Sequence, residues 1–183
     1  MAERLRRQFM ESQPDWFPTQ QDPRFGPPAK YPIFHTFRNR IECSKAGIHA
    51  PTVAGIAGTV KDGAFSICVS GGYRDDKDEG DFMYVSHFAS LVGTGNGKQV
   101  EDQSFTHPDN AALLRSFETK RPVRVVRGFK PNSVYAPAQG YRYDGMYVVE
   151  NAYMSKSKET GYMICTYELR RVPGQPPIPK REL

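Results

Sequence analysis

The sequence predicts a mainly β domain of the α+β class, barrel-like, with a few short flanking helices. Three observations carry this. The apolar runs are short and bounded by turn formers, which is the pattern of strands. Sixteen glycines and fifteen prolines among 183 residues favour turns and loops over a helix bundle. One segment of the globular part has clear helical spacing, the stretch after His107-Pro108-Asp109.

Taken in order, residues 2–11 predict a short amphipathic helix, because Leu5 and Phe9 are spaced i, i+4. Residues 13–30 are rich in Pro, Gln and Asp and read as a loop or extended arm. Residues 1–24 thus form an N-terminal helix and arm, and the globular domain, 25–179, begins at Phe25-Gly26-Pro27. Strands are expected at Thr52–Ile56, Ala64–Val69, Phe82–Val85, Pro122–Arg127, Met146–Glu150 and Tyr162–Leu169. In the last of these Met163, Cys165, Tyr167 and Leu169 share one largely apolar face. Lys61-Asp62-Gly63 and Tyr143-Asp144-Gly145 are expected turns, since Asp-Gly favours tight reversals. For the helix, Thr106 or His107 lies near the cap, Pro108 suits the first turn, and Ala111, Ala112, Leu114 and Phe117 give the periodicity. Residues 172–183 hold Pro-Gly-Gln-Pro-Pro-Ile-Pro and read as an extended tail, with 180–183 beyond the domain.

The length fits one domain with a proper core. No apolar run approaches a membrane span, and the N-terminus lacks the apolar stretch of a secretory signal, so no membrane partner is expected. Cys43, Cys68 and Cys165 are widely spaced with no CxxC pair, which predicts buried free thiols. Net charge is +5, with basic residues recurring at Arg4, Arg6, Arg7, Arg38, Arg40, Lys120, Arg121, Arg124, Arg127, Lys156, Lys158, Arg170 and Arg171. A solvated surface and a nucleic-acid footprint both account for that charge.

Against it stands an acidic stretch, Arg74 to Asp81, with two positive and five negative residues. Ser70-Gly71-Gly72-Tyr73 precedes it and Phe82-Met83-Tyr84 follows. A carboxylate in a polyanion-binding protein needs a target other than phosphate, and the cytosine N4 amino group is one. A charged hairpin end in water explains the run equally simply. Calcium binding does not, because the spacing fails the EF-hand pattern. Metal and cofactor chemistry are not indicated: His35, His49, His87 and His107 make no pair at ligand spacing. The zinc-deaminase signature is absent, and nothing frames a nucleophile and base. Gly93-Thr94-Gly95-Asn96-Gly97-Lys98 lacks the glycine spacing of a phosphate loop and reads as a surface loop.

An ordered series of motifs resembles the SRA (SET- and RING-associated, or YDG) domain. It runs Phe25-Gly26-Pro27, Gly47 to Ile56, Gly63 to Ile67, Ser70 to Asp76, Asp102-Gln103-Ser104, Pro122 to Gly128, Tyr135-Ala136-Pro137, Gly140 to Tyr147 and Leu169-Arg170-Arg171. The resemblance covers Phe25 to Pro179. It implies a twisted β-barrel-like, PUA-like fold that flips 5-methylcytosine out of duplex DNA, a non-enzymatic reader of an epigenetic mark. On that reading Tyr73 and Tyr84 sandwich the base and Asp76 accepts from its N4 amino group. Backbone at Ser70, Gly71 and Gly72 meets the O2 and N3 edge. Val53, which patterning alone would equally make a strand residue, plugs the gap in the duplex. Tyr143-Asp144-Gly145 is structural.

The resemblance is imperfect. Val85 stands where the family commonly has Thr, leaving only a backbone hydrogen bond there. The link from Asp76 to Tyr84 is one residue shorter. The loop that enters the major groove, carrying Asn96 and Lys98, lacks the family's arginine, so strict preference for hemimethylated CpG is unsupported. The implied partners are duplex DNA with modified cytosine and, beyond it, histones or other chromatin proteins, in the nucleus. A modification-dependent nuclease or base-processing enzyme, and a PUA-like RNA-binding module, stay open as alternatives.

Overall fold

The computed structural model describes residues 4, 22–71, 75–86, 99 and 101–182. Its elements are β1 (Thr36–Phe37), α1 (Arg40–Lys45), β2 (Ile56–Thr59), β3 (Gly63–Val69), β4 (Lys77–Asp78), β5 (Phe82–Ser86), α2 (Pro108–Thr119), β6 (Val123–Gly128), β7 (Tyr141–Lys156) and β8 (Met163–Arg171). Of the helix expected at 2–11, only Arg4 is described, and it is helical.

Period-two patterning builds the centre of the sheet. Ile67 and Val69 of β3 join Val125 of β6, Val149 of β7 and Leu169 of β8 in the main core. Their neighbours Cys68 and Val126 join a second core with Cys43, Ile48 and Tyr143. All three cysteines are buried and free. The main core is covered by α2, which contributes the fully buried Leu113. Pro108 opens that helix, and His107 caps it by accepting the Asp109 amide at 3.3 Å. The Ala64 amide donates to Ser116 Oγ at 2.9 Å and fixes α2 on β3.

The strand order is β2-β3-β6-β7-β8-β5-β4, with β1 on β7. β3 and β6 run parallel, and the other pairs are antiparallel. The barrel expected from sequence does not close: among the described residues nothing pairs β2 with β4, and the sheet is open. Its edge strands have four and two residues, which leaves little unpaired backbone exposed.

The 16-residue β7 shapes the sheet by changing partners midway. It pairs with β6 over Tyr141–Tyr147 and with β8 over Tyr147–Lys156. The sequence reading placed a turn at Tyr143-Asp144-Gly145 and a strand only from Met146. Both are corrected here. Register steps from Val126↔Tyr143 to Val125↔Gly145, so Asp144 is the extra residue of a bulge inside a continuous strand. Gly145 takes φ 103°, the backbone freedom that made Asp-Gly look like a reversal. The strand expected at Thr52–Ile56 is also corrected: it begins at Ile56, and 50–55 form a loop.

The bulge yields a test. A Cβ at residue 145 would sit 2.3 Å from Gln175 Oε1 on a backbone that disfavours side chains. Gly145→Ala is expected to cost about 1–3 kcal/mol. Urea unfolding should show a lower midpoint with unchanged slope; an unmoved midpoint would refute this account of the bulge.

Candidate functional site

A cavity of about 520 Å³ opens beside the acidic stretch, within the range of small-molecule pockets. Gly71, Asp76, Tyr84 and Val85 line it, with Lys130 and Asn132 across from them on the β6–β7 loop. The acidic run is therefore not one solvated hairpin end. Its members have separate jobs.

Asp76 immediately precedes β4. Its Oδ1 accepts from the Ser86 amide at 2.7 Å and the Ser86 hydroxyl at 2.9 Å, while Oδ2 has no partner among the described residues. Burial pushes the carboxyl up to about 7, against the Ser86 hydrogen bonds, and the neighbouring Asp75 adds to the rise. Asp75 turns the other way. It accepts from the Ser157 hydroxyl at 2.6 Å and the Lys158 amide at 2.8 Å, tying the pocket's lip to the β7–β8 turn.

Asp78 is the floor. Arg127 of β6 grips it through Nε and Nη2, both at 2.9 Å, and reaches Asp144 Oδ2 through Nη1 at 2.8 Å. Arg142 adds a second guanidinium on Asp144, donating to Oδ2 at 2.9 Å. Arg127 and Asp144 are fully buried. Burial disfavours the Asp78 carboxylate, yet Arg127 holds it below its usual range. Burial likewise opposes the charge on Arg127, and the carboxylates outweigh it. Glu79 and Asp81 are exposed: Glu79 pairs with Lys77, and Asp81 lies 3.7 Å from Arg171.

Period two along β5 sends Met83 and Val85 into the main core and leaves Tyr84 half-buried on the opposite side. Tyr84 stacks edge-on with Phe82 at 5.0 Å between centroids. Val85 carries no hydroxyl; one residue later the Ser86 hydroxyl bonds Asp76, a contact that sequence reasoning missed. The sequence carries no signal for it, because the expected strand stops at Val85 and only the fold brings Ser86 to Asp76.

Val53 stands 80% exposed on the 50–55 loop and does not line the cavity. Four of the loop's six carbonyls are engaged. Arg40 Nη2 donates to Pro51 at 2.9 Å and to Ala54 at 2.5 Å, Ser44 Oγ donates to Ala50 at 2.6 Å, and the Cys68 amide donates to Gly55 at 2.8 Å. Buried His49 completes the frame. Its Nε2 must donate to the Ala54 carbonyl at 2.9 Å, so Nδ1 accepts from Ser66 Oγ at 2.7 Å. Burial pushes His49 down to about 4, which keeps it neutral.

Ser70 packs against Gly128 beside the cavity, where a Cβ on that glycine would lie 3.0 Å from the Ser70 Cβ. Gly72, Tyr73, Asn96 and Lys98 lie outside the described residues. The basic run is corrected in part: Arg124, Arg127 and Arg171 are buried, so they are not free to meet a polyanion.

The SAD/SRA domain model matches residues 24–175. A UHRF1-like protein of Cryptococcus neoformans var. grubii is 48% identical over 153 residues, covering 79% of this chain and 45% of its own length. This chain thus spans under half of that curated relative. Among solved structures, the modification-dependent TagI restriction endonuclease superposes with a TM-score of 0.77 at 38% identity, over 81% of this chain and 52% of that one. The SUVH5 SRA domain in complex with methylated CHH DNA gives 0.67 at 33% identity, over 85% and 98%. The same domain with fully hydroxymethylated CG DNA gives 0.70 at 32%, with the same coverage.

Asp76 and His49 set opposing pH slopes. His49 titrates about 4 folded against an ordinary 6.5, so its stabilisation is complete above 6.5 and lost as pH falls toward 4. Asp76 titrates about 7 folded against 3.8, so its contribution is complete below 3.8 and lost as pH rises toward 7. Between pH 6.5 and 5 each contribution changes by up to about 2 kcal/mol, in opposite senses. Relative to the wild type, Asp76→Asn should lose stability on acidification across that window and His49→Gln should gain it. Parallel pH profiles in chemical denaturation would refute both assignments.

Proposed function

We propose a function from one premise: the chain belongs to the SAD/SRA domain family. It reads modified cytosine in duplex DNA, with 5-methylcytosine the first candidate, by flipping the base into the cavity beside Asp76. One observation carries this reading: a half-engaged carboxyl lining a recess roomy enough for a base, with Oδ1 fixed by Ser86 and Oδ2 without a partner among the described residues. An oxygen so placed accepts from the cytosine N4 amino group and opposes the thymine O4 carbonyl. Tyr84 forms one wall of the base stack and Tyr73 the other. Backbone at Ser70, Gly71, Gly72 and Val85 meets the remaining edge, and the buried Val69, Met83 and Ala136 give the C5 substituent an apolar surround.

Val53, held out on a frame of satisfied carbonyls, fills the gap in the duplex. Asn96 and Lys98 enter the other groove without an arginine to fork onto guanine, so the reader tolerates contexts beyond hemimethylated CpG. That fits a family whose SUVH5 member has been solved with methylated CHH and hydroxymethylated CG DNA. Similarity to a UHRF1-like protein supports a nuclear location, and chromatin proteins as further partners.

The likeness to TagI supports a second reading, in which this domain directs a nuclease. We favour binding without cleavage for this chain. Methylated plasmid incubated with the protein and Mg²⁺ is expected to stay intact, and specific cutting would reverse that choice.

The base contact is tested directly. Asp76→Ala should abolish preference for methylated over unmodified duplex while keeping weak, salt-sensitive binding. A titration at fixed salt with the preference unchanged would sink the assignment. Tyr84→Ala should weaken binding of modified duplex by about 1–3 kcal/mol through lost stacking; equal affinity would remove Tyr84 from the pocket.

A further inference from the structure

We propose that Arg181 is a positioning residue for this pocket: it clamps the loop of residues 129–137 against the base-reading backbone and thereby sets selectivity. The inference rests on the reading of the cavity given above.

The loop joins β6 to β7 and forms one side of the cavity through Lys130 to Val134. It has no regular structure of its own. Among the described residues its one internal backbone hydrogen bond runs from the Ala136 amide to Ser133 at 3.1 Å. Five of its nine carbonyls converge on Arg181, while that of Tyr135 accepts from Arg142 Nη2 at 2.5 Å. Nε donates to Ser133 at 3.2 Å, Nη1 to Pro137 at 3.1 Å and Phe129 at 3.4 Å, and Nη2 to Pro131 at 2.6 Å. The Arg181 amide adds Val134 at 2.7 Å. One planar guanidinium thus gathers four carbonyls spread over nine residues, a task its fixed fork suits and a lysine's single ammonium does not.

The inner side of the loop is keyed to the pocket. Pro131 lies so close to Gly71 that a Cβ there would be 3.0 Å from its nitrogen. Ser133 Oγ donates to Asp78 Oδ2 at 3.1 Å. Force on the loop is therefore passed to Gly71, whose backbone faces the base, and to the Arg127 floor. The clamp itself is moored. Ile178 is buried in the main core, and Arg171 Nη1 donates to Pro176 at 2.6 Å. A segment that the sequence presents as a proline-rich tail is a strap across the back of the pocket wall.

The test compares wild type, Arg181→Ala and Arg181→Lys, with thermal midpoints to confirm folding. Matched methylated and unmodified duplexes are titrated at fixed salt. Arg181→Ala should lose about tenfold in preference, the usual worth of hydrogen bonds to a charged group, with affinity for unmodified duplex unchanged. Arg181→Lys should fall between. Lys61→Ala, an exposed lysine in the β2–β3 turn, should leave the preference alone. Amide hydrogen exchange on the free protein is the independent readout: Arg181→Ala should accelerate residues 132–136 and leave β6 and β7 protected. Wild-type preference in Arg181→Ala, or unchanged exchange across the loop, overturns the clamp. If Arg181→Ala does not fold, the same two measurements on Arg181→Lys decide. A wild type without preference, together with faster loop exchange in the variant, overturns the modified-cytosine reading and leaves the clamp standing.

Discussion

The buried ion network around Arg127 is the constraint on which the site depends. Moving a guanidinium and two carboxylates out of water costs several kcal/mol per ion, repaid only by close geometry and complete hydrogen bonding. Here both conditions hold. Arg127 engages both oxygens of Asp78, one of Asp144 and the Gly80 carbonyl, which also accepts from Tyr147 Oη at 2.7 Å. The consequence is positional. β4 is an edge strand of two residues with almost no apolar contact of its own. Its place is set by Asp78, and Asp76 stands two residues upstream. A pocket carboxyl on so slight a strand keeps its geometry because the next acid along is locked to the middle of the sheet.

Each surrounding segment is likewise held by polar contacts made on its outer side. Asp75 fastens to the β7–β8 turn, Ser86 fixes one oxygen of Asp76, and the Val53 loop hangs on Arg40 and His49. The groups that make these contacts, Asp75, Ser86, Arg40 and His49, lie outside the cavity lining. On the proposed reading a base would enter without first breaking these hydrogen bonds, which is what pre-organisation requires.

The sequence made the strands legible because their signal is local. β3, β5, β6 and β8 each carry their own apolar alternation, and α2 carries its own cap. What it hid was non-local or overloaded. Asp144-Gly145 looks like a reversal since a positive φ serves a hairpin and a bulge alike; only the pairing with Val125 and Val126 separates them. α1 has six residues, under two turns and too few for a helical period to repeat, and its Asn39 cap is visible only once the helix is known. The acidic run showed charge but not allegiance. That Asp78 and not Glu79 meets a guanidinium depends on a residue 49 positions on. Of the pocket, Asp76 and Tyr84 were named from the motif alone, whereas Ser86, the β6–β7 loop and Arg181 are joined to it only by the fold.

The same separation resolves the meaning of the net charge. Counting basic residues treats arginine and lysine alike, and the fold does not. Arg124 spends its guanidinium on the carbonyls of Pro23, Gly26 and Gly47, Arg142 on Asp144 and Tyr135, and Arg171 on Asp144 and Pro176. All three are buried. Every described lysine is exposed. A planar fork with five donors can satisfy several carbonyls inside a domain, while an ammonium is strongly hydrated and stays in water. The exposed Arg24, Arg38, Arg115 and Arg170 are paired with acids, so among the described residues positive charge available to a phosphate backbone is mostly ammonium: point charges that attract a duplex without fixing its register. Such a surface gives affinity without sequence. On the proposed reading, the burden of discrimination then falls on Asp76, whose Oδ2 has no partner among the described residues.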